Sequence, residues 1–115
     1  MKNYKELKIW QNGIEIVKAV FKLSEKLPKT ERFGMISQMT RAAVSIPANI
    51  AEGSSRHSDK DYARFLQIAL GSAFELQTYF IIVKEMQWIS LGIEELELLL
   101  EQEIKMIHGF SKAIG

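Results

Sequence analysis

Short clusters of turn-forming residues divide this sequence into four segments in which apolar residues recur at helical spacing. The clusters are LPKT at 27–30, GSSRHS at 53–58 and WISLG at 88–92. Apolar residues three and four apart indicate amphipathic helices rather than strands. The pattern therefore predicts an all-α chain with helices at about 6–27, 31–53, 59–87 and 91–113. Because the connections are short, sequence neighbours should run antiparallel, as in an up-down four-helix bundle.

Length and composition agree with one small domain. The chain has 115 residues, of which 47% are hydrophobic and 25% are charged, and these values are ordinary for a globular protein. We therefore expect residues 1–115 to form a single bundle domain. No stretch approaches about 18 uninterrupted apolar residues, and the opening MKNYKELKIW is too polar for a signal peptide. The expected location is the cytoplasm.

The first and third segments carry more apolar surface than one helix face requires. In the first, two neighbouring apolar series cover about 160° of the helix circumference, whereas one core-facing stripe needs about 100°. The third is apolar on nearly all sides. A four-helix monomer would leave part of this surface uncovered, so we expect a homo-oligomer. The two series of the first helix are Leu7, Trp10, Ile14, Val17, Phe21, Ser24 and Ile9, Gly13, Ile16, Val20, Leu23, Leu27.

The second segment contains Pro47, which cannot donate a backbone hydrogen bond to Ala43, so a kink is expected there. If the helix continues through this position, four polar residues fall within about 80° of arc, opposite the apolar stripe. This polar line has three interpretations: hydrogen bonds at a subunit contact or around the kink, a ligand or RNA contact, or plain exposure to solvent. Its members are Arg41, Ser45, Asn49 and Glu52.

The residues beside the turn clusters predict how the helices end. Thr30 is placed to cap the start of the second helix through its side chain. Gly53 is placed to end that helix in a left-handed conformation. Ser58 and the acidic residues after it predict a capped start for the third helix.

Charge is unevenly distributed along the chain. Residues 1–57 carry ten Lys or Arg against five Asp or Glu, and residues 58–115 carry five against nine. The net charge of +1 is low for a nucleic-acid-binding domain, but the first half still offers a basic surface. The outer face of the fourth helix is predicted to be acidic, through Glu94, Glu95, Glu97, Glu101 and Glu103. The candidate nucleic-acid-binding residues are Lys8, Lys18, Lys22, Lys26, Arg41 and Arg56.

The sequence lacks the motifs of catalytic and metal sites. A di-iron bundle needs Glu-x-x-His, but the residues three before His57 and His108 are Ser54 and Lys105. The chain has no cysteine and no H-E-x-x-H, G-x-S-x-G or Walker A motif. We therefore expect no enzyme activity, no cofactor and no metal site.

Residues 41–56, RAAVSIPANIAEGSSR, resemble the signature of a four-helix bundle family encoded in intervening sequences of bacterial large-subunit ribosomal RNA. The family also carries an S-class ribosomal protein label. Two further segments match in order and spacing, WQNGIEIVKAVFKLSEKLPKTERFG at 10–34 and DYARFLQIALGSAFELQTYF at 61–80. With a closing helix of about the right length, the resemblance covers essentially the whole chain. The sequence is also similar to the accessory variability determinant of diversity-generating retroelements.

This resemblance implies an antiparallel four-helix bundle assembled as a ring-like homopentamer. The accessory variability determinant partners a reverse transcriptase and binds nucleic acid, which implies RNA or a reverse-transcriptase-like protein as a partner. The expected function is a non-enzymatic oligomeric scaffold that binds RNA or a nucleic-acid-processing protein. The alternative is a purely structural or protein-interaction oligomer without nucleic-acid binding. The signature residues, expected at an oligomer contact and without a ligand role in the family, are Arg41, Ser45, Pro47, Asn49, Glu52 and Gly53.

Overall fold

The computed structural model describes residues 3–114, which form four long helices and no strand. The prediction of an all-α, four-helix chain is confirmed. Two short 3-10 turns and one π-turn occupy Tyr4–Glu6, Lys29–Glu31 and Arg32–Ile36. The long helices are α1 (Lys8–Ser24), α2 (Ser37–Ser54), α3 (Asp59–Glu85) and α4 (Ile93–Ile114).

Each long helix packs against two others, so that the four surround one core. Helix α2 lies between α1 and α3, and α4 lies between α3 and α1. The bundle measures 43 × 24 × 20 Å, and its long axis is close to the roughly 40 Å expected for the 27 residues of α3. In this arrangement the seam between α1 and α2 is opposite the seam between α3 and α4. The α1/α4 seam is likewise opposite the α2/α3 seam.

The core uses only one of the two apolar series of α1. The series that begins at Ile9 is buried, while the other is mostly half-buried and includes Phe21, which is 49% exposed. Helix α3 is long and apolar enough in composition to cross a membrane. Its buried stripe packs against α2 and α4, so we interpret it as the core helix of the bundle. Fully buried side chains include Ile16, Met39, Ile46, Ile50, Leu66, Leu76, Phe80, Leu100 and Ile107.

Helix α2 begins later than predicted, at Ser37. The predicted Thr30 cap is wrong because the backbone of Gly34, with φ −101° and ψ −106°, is not helical. The Glu31 side chain instead accepts a hydrogen bond from the Met35 N–H at 3.5 Å. The π-turn thus separates the connection after α1 from α2.

The predicted cap of α3 is confirmed, since Ser58 Oγ accepts a hydrogen bond from the Asp61 N–H at 3.1 Å. Helix α2 runs through Pro47 without interruption. The kink at Pro47 stays a prediction.

Gly53 has a different role from the predicted left-handed cap. Helix α2 continues to Ser54, and Gly53 lies buried inside it. A Cβ atom on Gly53 would lie 2.8 Å from Tyr62 Cδ1 and 2.9 Å from Phe65 Cβ. The missing side chain therefore allows the start of α3 to approach the end of α2.

We expect Gly53→Ala to lower the free energy of unfolding by about 1–3 kcal/mol, because the added methyl group would overlap α3 side chains. Gly71→Ala is the matched control, since a Cβ atom there would have no neighbour within 4 Å. In the interior of α3 it should raise stability by about 0.5–1 kcal/mol. Urea unfolding measures both changes. Equal stability of Gly53→Ala and the wild type would contradict the close approach of α2 and α3.

Candidate functional site

The middle of the polar line of α2 faces helix α3. Ser45 Oγ and Ser72 Oγ form an interhelical hydrogen bond of 2.7 Å. Asn49 Nδ2 donates to the Ser45 carbonyl oxygen at 2.8 Å and to Ser45 Oγ at 2.9 Å. Ser45 and Asn49 therefore find hydrogen-bond partners within one chain, on the turn before and after Pro47.

An open groove of about 300 Å³ lies beside these hydrogen bonds, between α2 and α3. Arg41 is exposed on one wall and forms no ion pair with any residue of 3–114. On the other wall, the Tyr79 hydroxyl donates a hydrogen bond of 3.4 Å to the Glu75 carboxylate. Burial and the nearby Glu75 carboxylate raise the pKa of Tyr79. The groove can therefore make polar contacts, with a free cation on one side and a carboxylate on the other.

The remaining polar residue of the line, Glu52, belongs to a stack at the end of α2. Its carboxylate pairs with Arg56 at 2.6 Å. The Arg56 guanidinium lies 4.5 Å from the centre of the Phe65 ring, and that of Arg64 lies 5.0 Å from it. Arg64 also pairs with Asp61 at 3.9 Å. Both arginines of the stack thus have an acidic neighbour, which reduces the charge they offer to a phosphate.

The other predicted basic residues lie along α1. Lys18, Lys22 and Lys26 are exposed on successive turns that continue just past the helix end, about 6 Å apart along the axis. We call these three residues the lysine ridge. Lys18 pairs with Glu15 at 3.3 Å, while Lys22 and Lys26 have no ion-pair partner within the described chain. Lys8 is also exposed, at the start of α1.

The structure does not bring all six predicted basic residues onto one surface. Lys22 and Lys26 border an open groove of about 400 Å³ between α1 and α4, with Glu95 on the α4 side. Arg41 borders the groove between α2 and α3, on the opposite side of the bundle. Arg56 lies beyond the end of α2, beside α3. A phosphate backbone along the ridge would therefore not reach Arg41 on the same straight path.

The prediction that Glu103 belongs to the outer acidic face is wrong. Its side chain is fully buried, with 0% exposure. Leu96, Leu100 and Ile107 are buried on the same face of α4, at steps of four, three and four residues that include position 103. This spacing could have indicated that Glu103 is buried, but an acidic residue at a core position is uncommon.

The buried Glu103 carboxylate is only partly satisfied by hydrogen bonds. Asn12 Nδ2 of α1 donates to Glu103 Oε1 at 3.0 Å, and Oε2 has no partner within residues 3–114. A Cβ atom on Gly13 would lie 3.3 Å from Oε2 and 3.3 Å from Pro47 Cβ. Burial raises the pKa of Glu103 to about 7, although the hydrogen bond from Asn12 acts in the opposite direction. The protonated form is therefore favoured inside the bundle.

We expect the pH dependence of stability to contain a Glu103 contribution. The unfolded chain releases this proton near its ordinary pKa of 4.5, whereas the folded chain holds it until about pH 7. Between these values the folded state holds more protons, so its stability falls as pH rises, by up to about 3 kcal/mol. Glu103→Gln should remove this part of the slope in chemical unfolding between pH 4.5 and 8.

Glu6→Gln is the matched control for that experiment, because it makes the same change at an exposed carboxylate of the Tyr4–Glu6 turn, away from the buried core. Its slope should equal that of the wild type. A Glu103→Gln variant that keeps the wild-type slope would show that the buried carboxyl does not titrate between the two pKa values.

Histidine and acidic side chains are dispersed over the described part of the chain. Within residues 3–114, no group of three or more His, Asp or Glu side chains is placed to hold a metal ion. His57 and His108 are both exposed.

Comparison with known proteins identifies the family of this chain and a solved structure with the same fold. A family model described as 23S rRNA-intervening sequence protein matches residues 5–109. A similar solved structure is the 1.70 Å crystal structure of a protein with unknown function from the S23 ribosomal protein family of Bacteroides thetaiotaomicron VPI-5482. It has a TM-score of 0.83 and 24% identity, with 90% of this chain and 98% of that chain covered. At this identity the likeness shows a shared fold. None of the curated proteins matches the chain.

Proposed function

The chain belongs to the 23S rRNA-intervening sequence protein family, and we propose that it is a homo-oligomeric scaffold that binds RNA. The assembly implied by the family resemblance is a pentamer in the cytoplasm. It binds structured RNA directly, alone or together with a nucleic-acid-processing protein such as a reverse-transcriptase-like enzyme. The family is one of unknown function and not a known enzyme family, and the proposed scaffold has no catalytic role of its own.

The observation that carries this proposal is the lysine ridge of α1. Lys22 and Lys26 are exposed and form no ion pair with the rest of the described chain. A cation without a partner in the protein can contact a phosphate and release its counterions without first breaking an internal pair. The spacing of about 6 Å lets neighbouring lysines contact neighbouring phosphates of one strand.

A second candidate function is a structural or protein-interaction oligomer without nucleic-acid binding. The acidic residues of α4 favour it, because Glu95 lies on the groove wall that faces Lys22 and Lys26. A carboxylate beside a phosphate site opposes binding. The net charge of +1 favours the same candidate.

RNA binding and its salt dependence separate these two functions. We expect the nuclease-treated protein to bind labelled structured RNA with micromolar or tighter Kd at about 50 mM salt, and much more weakly at about 200 mM. Replacing both Lys22 and Lys26 with Gln should weaken binding. It should also reduce the slope of log K against log salt by roughly 1.5, since each lost phosphate contact contributes about 0.7–0.9.

The matched control replaces Lys105 and Lys112 with Gln. Both are exposed lysines of α4, so the net charge changes equally while the ridge stays intact, and the slope should be unchanged. Equal effects of the two double variants would indicate that only overall charge matters. No binding at about 50 mM salt would reject the RNA-binding function in favour of the structural oligomer.

A further inference from the structure

Helices α3 and α4 present an exposed apolar surface, which we call the α3/α4 patch. Phe74, Ile81 and Leu98 are 48%, 52% and 60% exposed. Phe74 and Ile81 are seven residues apart on one face of α3, and Ile81 and Leu98 line one groove between the two helices. The carboxylates that line the same groove are Glu94, Glu97 and Glu101.

The opposite side of the bundle carries an apolar groove along the seam of α1 and α2, which we call the α1/α2 groove. None of its lining residues is charged, and the groove is open to solvent, with a volume of about 260 Å³. Val44 on its wall is 44% exposed. The small side chains of Ala48 and Ala51 leave room for larger apolar groups from outside. Its α1 wall is formed by Trp10, Ile14 and Val17.

The α1/α2 groove continues towards the end of α1. Phe21 is one helical turn after Val17, and it borders a second open space of about 520 Å³ beside Phe33, which is 90% exposed. The apolar surface therefore extends over several turns of α1, which is long enough to receive side chains from two helices of a partner.

Charge distinguishes the surroundings of the two surfaces. Arg41, which has no ion-pair partner within residues 3–114, is exposed one turn from the groove residue Val44. Lys18 is exposed one turn from Ile14 and is paired with Glu15. Arg32 lines the space beside Phe33 together with Glu25. The groove of the α3/α4 patch has two glutamates without an ion-pair partner within residues 3–114, Glu94 and Glu101, whereas Glu97 is paired with Lys84 at 3.1 Å. Two copies of this patch facing each other would bring like charges together, whereas patch against groove brings opposite charges together.

We propose that the α3/α4 patch of one copy packs into the α1/α2 groove of the next copy, with the glutamates of the patch facing the basic residues beside the groove. This inference rests on the homo-oligomer of the proposed function and adds the two surfaces that form it. Because the surfaces differ, the contact is heterologous, and repetition produces a ring or an open chain of copies. The contact leaves Lys22 and Lys26 uncovered at the α1/α4 seam.

Two single variants and their mixture test this pairing. Val44→Glu places a charge in the groove, and Leu98→Glu places one in the patch. Each variant alone should lose the oligomer at micromolar concentration and have the monomer mass of 13.2 kDa. When the two variants are mixed, the intact patch of Val44→Glu can pack into the intact groove of Leu98→Glu. The mixture should therefore form a one-to-one pair of twice the monomer mass, which cannot extend further.

Ile68→Glu is the matched control, because Ile68 is also 44% exposed and lies on α3 about 140° around the helix from Ile81. It should keep the wild-type native mass. A wild-type protein that is monomeric would overturn both the proposed oligomer and this inference. A wild-type oligomer that survives in either single variant would overturn the pairing alone, since a patch-to-patch or groove-to-groove contact would then be sufficient.

Cross-linking gives an answer even where a Glu variant fails to fold. The chain has no cysteine, so Val44→Cys combined with Leu98→Cys introduces the only two thiols. A short bismaleimide should join these copies into a ladder of multimers, whereas each single Cys variant alone should stay uncross-linked. Absence of the ladder from an assembled double variant, or a covalent dimer of one single variant, would overturn the proposed contact.

Discussion

The architecture depends on one constraint: the four helices carry more apolar surface than a single core between them can bury. Each helix of a four-helix ring turns one face inward, yet α1 and α3 are apolar over more than one face. The order α1, α2, α3, α4 around the ring determines where the apolar surface that the core does not cover is exposed. The second series of α1 becomes a wall of the α1/α2 groove, and Phe74 and Ile81 of α3 emerge beside α4. The same constraint that builds the core therefore produces two apolar surfaces on opposite sides.

Glu103 is the one ionisable side chain that is buried among residues 3–114, and it lies where three helices meet. Gly13 of α1 allows Pro47 of α2 and Glu103 of α4 to come close to the α1 backbone. Within residues 3–114, Asn12 supplies the one hydrogen bond that the buried carboxyl receives. A carboxyl group with an unsatisfied oxygen favours its neutral form, because burying a charge costs more than burying a protonated acid. Pro47, a residue of the family signature, is thus buried in bundle packing.

The sequence predicts the number of helices and the cap at Ser58, because local spacing and local side chains determine both. It does not predict which apolar series of α1 is buried, since that depends on the position of α2 and α4 around α1. The role of Gly53 and the start of α2 were predicted wrongly for a related reason. Gly53 is required by the closeness of α3, and the start of α2 is delayed because Gly34 interrupts a helix whose apolar pattern continues across it.

In the candidate site as well, the sequence predicts the features that depend on local spacing and misses those that depend on tertiary packing. Helical spacing correctly places Arg41, Ser45 and Asn49 on one arc of α2, but the hydrogen bond between Ser45 and Ser72 needs the packing of α3. The six basic residues share one half of the sequence, which suggested one surface. Helices α1 and α2 turn their polar faces towards different neighbours, however, so the residues are divided between opposite seams.

The RNA-binding lysines and the two surfaces of the proposed contact lie on different sides of the bundle. This arrangement explains how a chain of low net charge could bind RNA as an assembly. A single copy offers two unpaired lysines on the ridge, and a few phosphate contacts alone bind RNA weakly at physiological salt. A heterologous contact between the α3/α4 patch and the α1/α2 groove repeats Lys22 and Lys26 of the ridge once per copy and leaves both exposed. After the first ridge binds an RNA, the others act at high effective concentration, which strengthens binding without any new type of contact. A near-neutral chain can therefore act as a nucleic-acid scaffold through assembly, and its affinity for RNA should depend on the integrity of the oligomer as well as on Lys22 and Lys26.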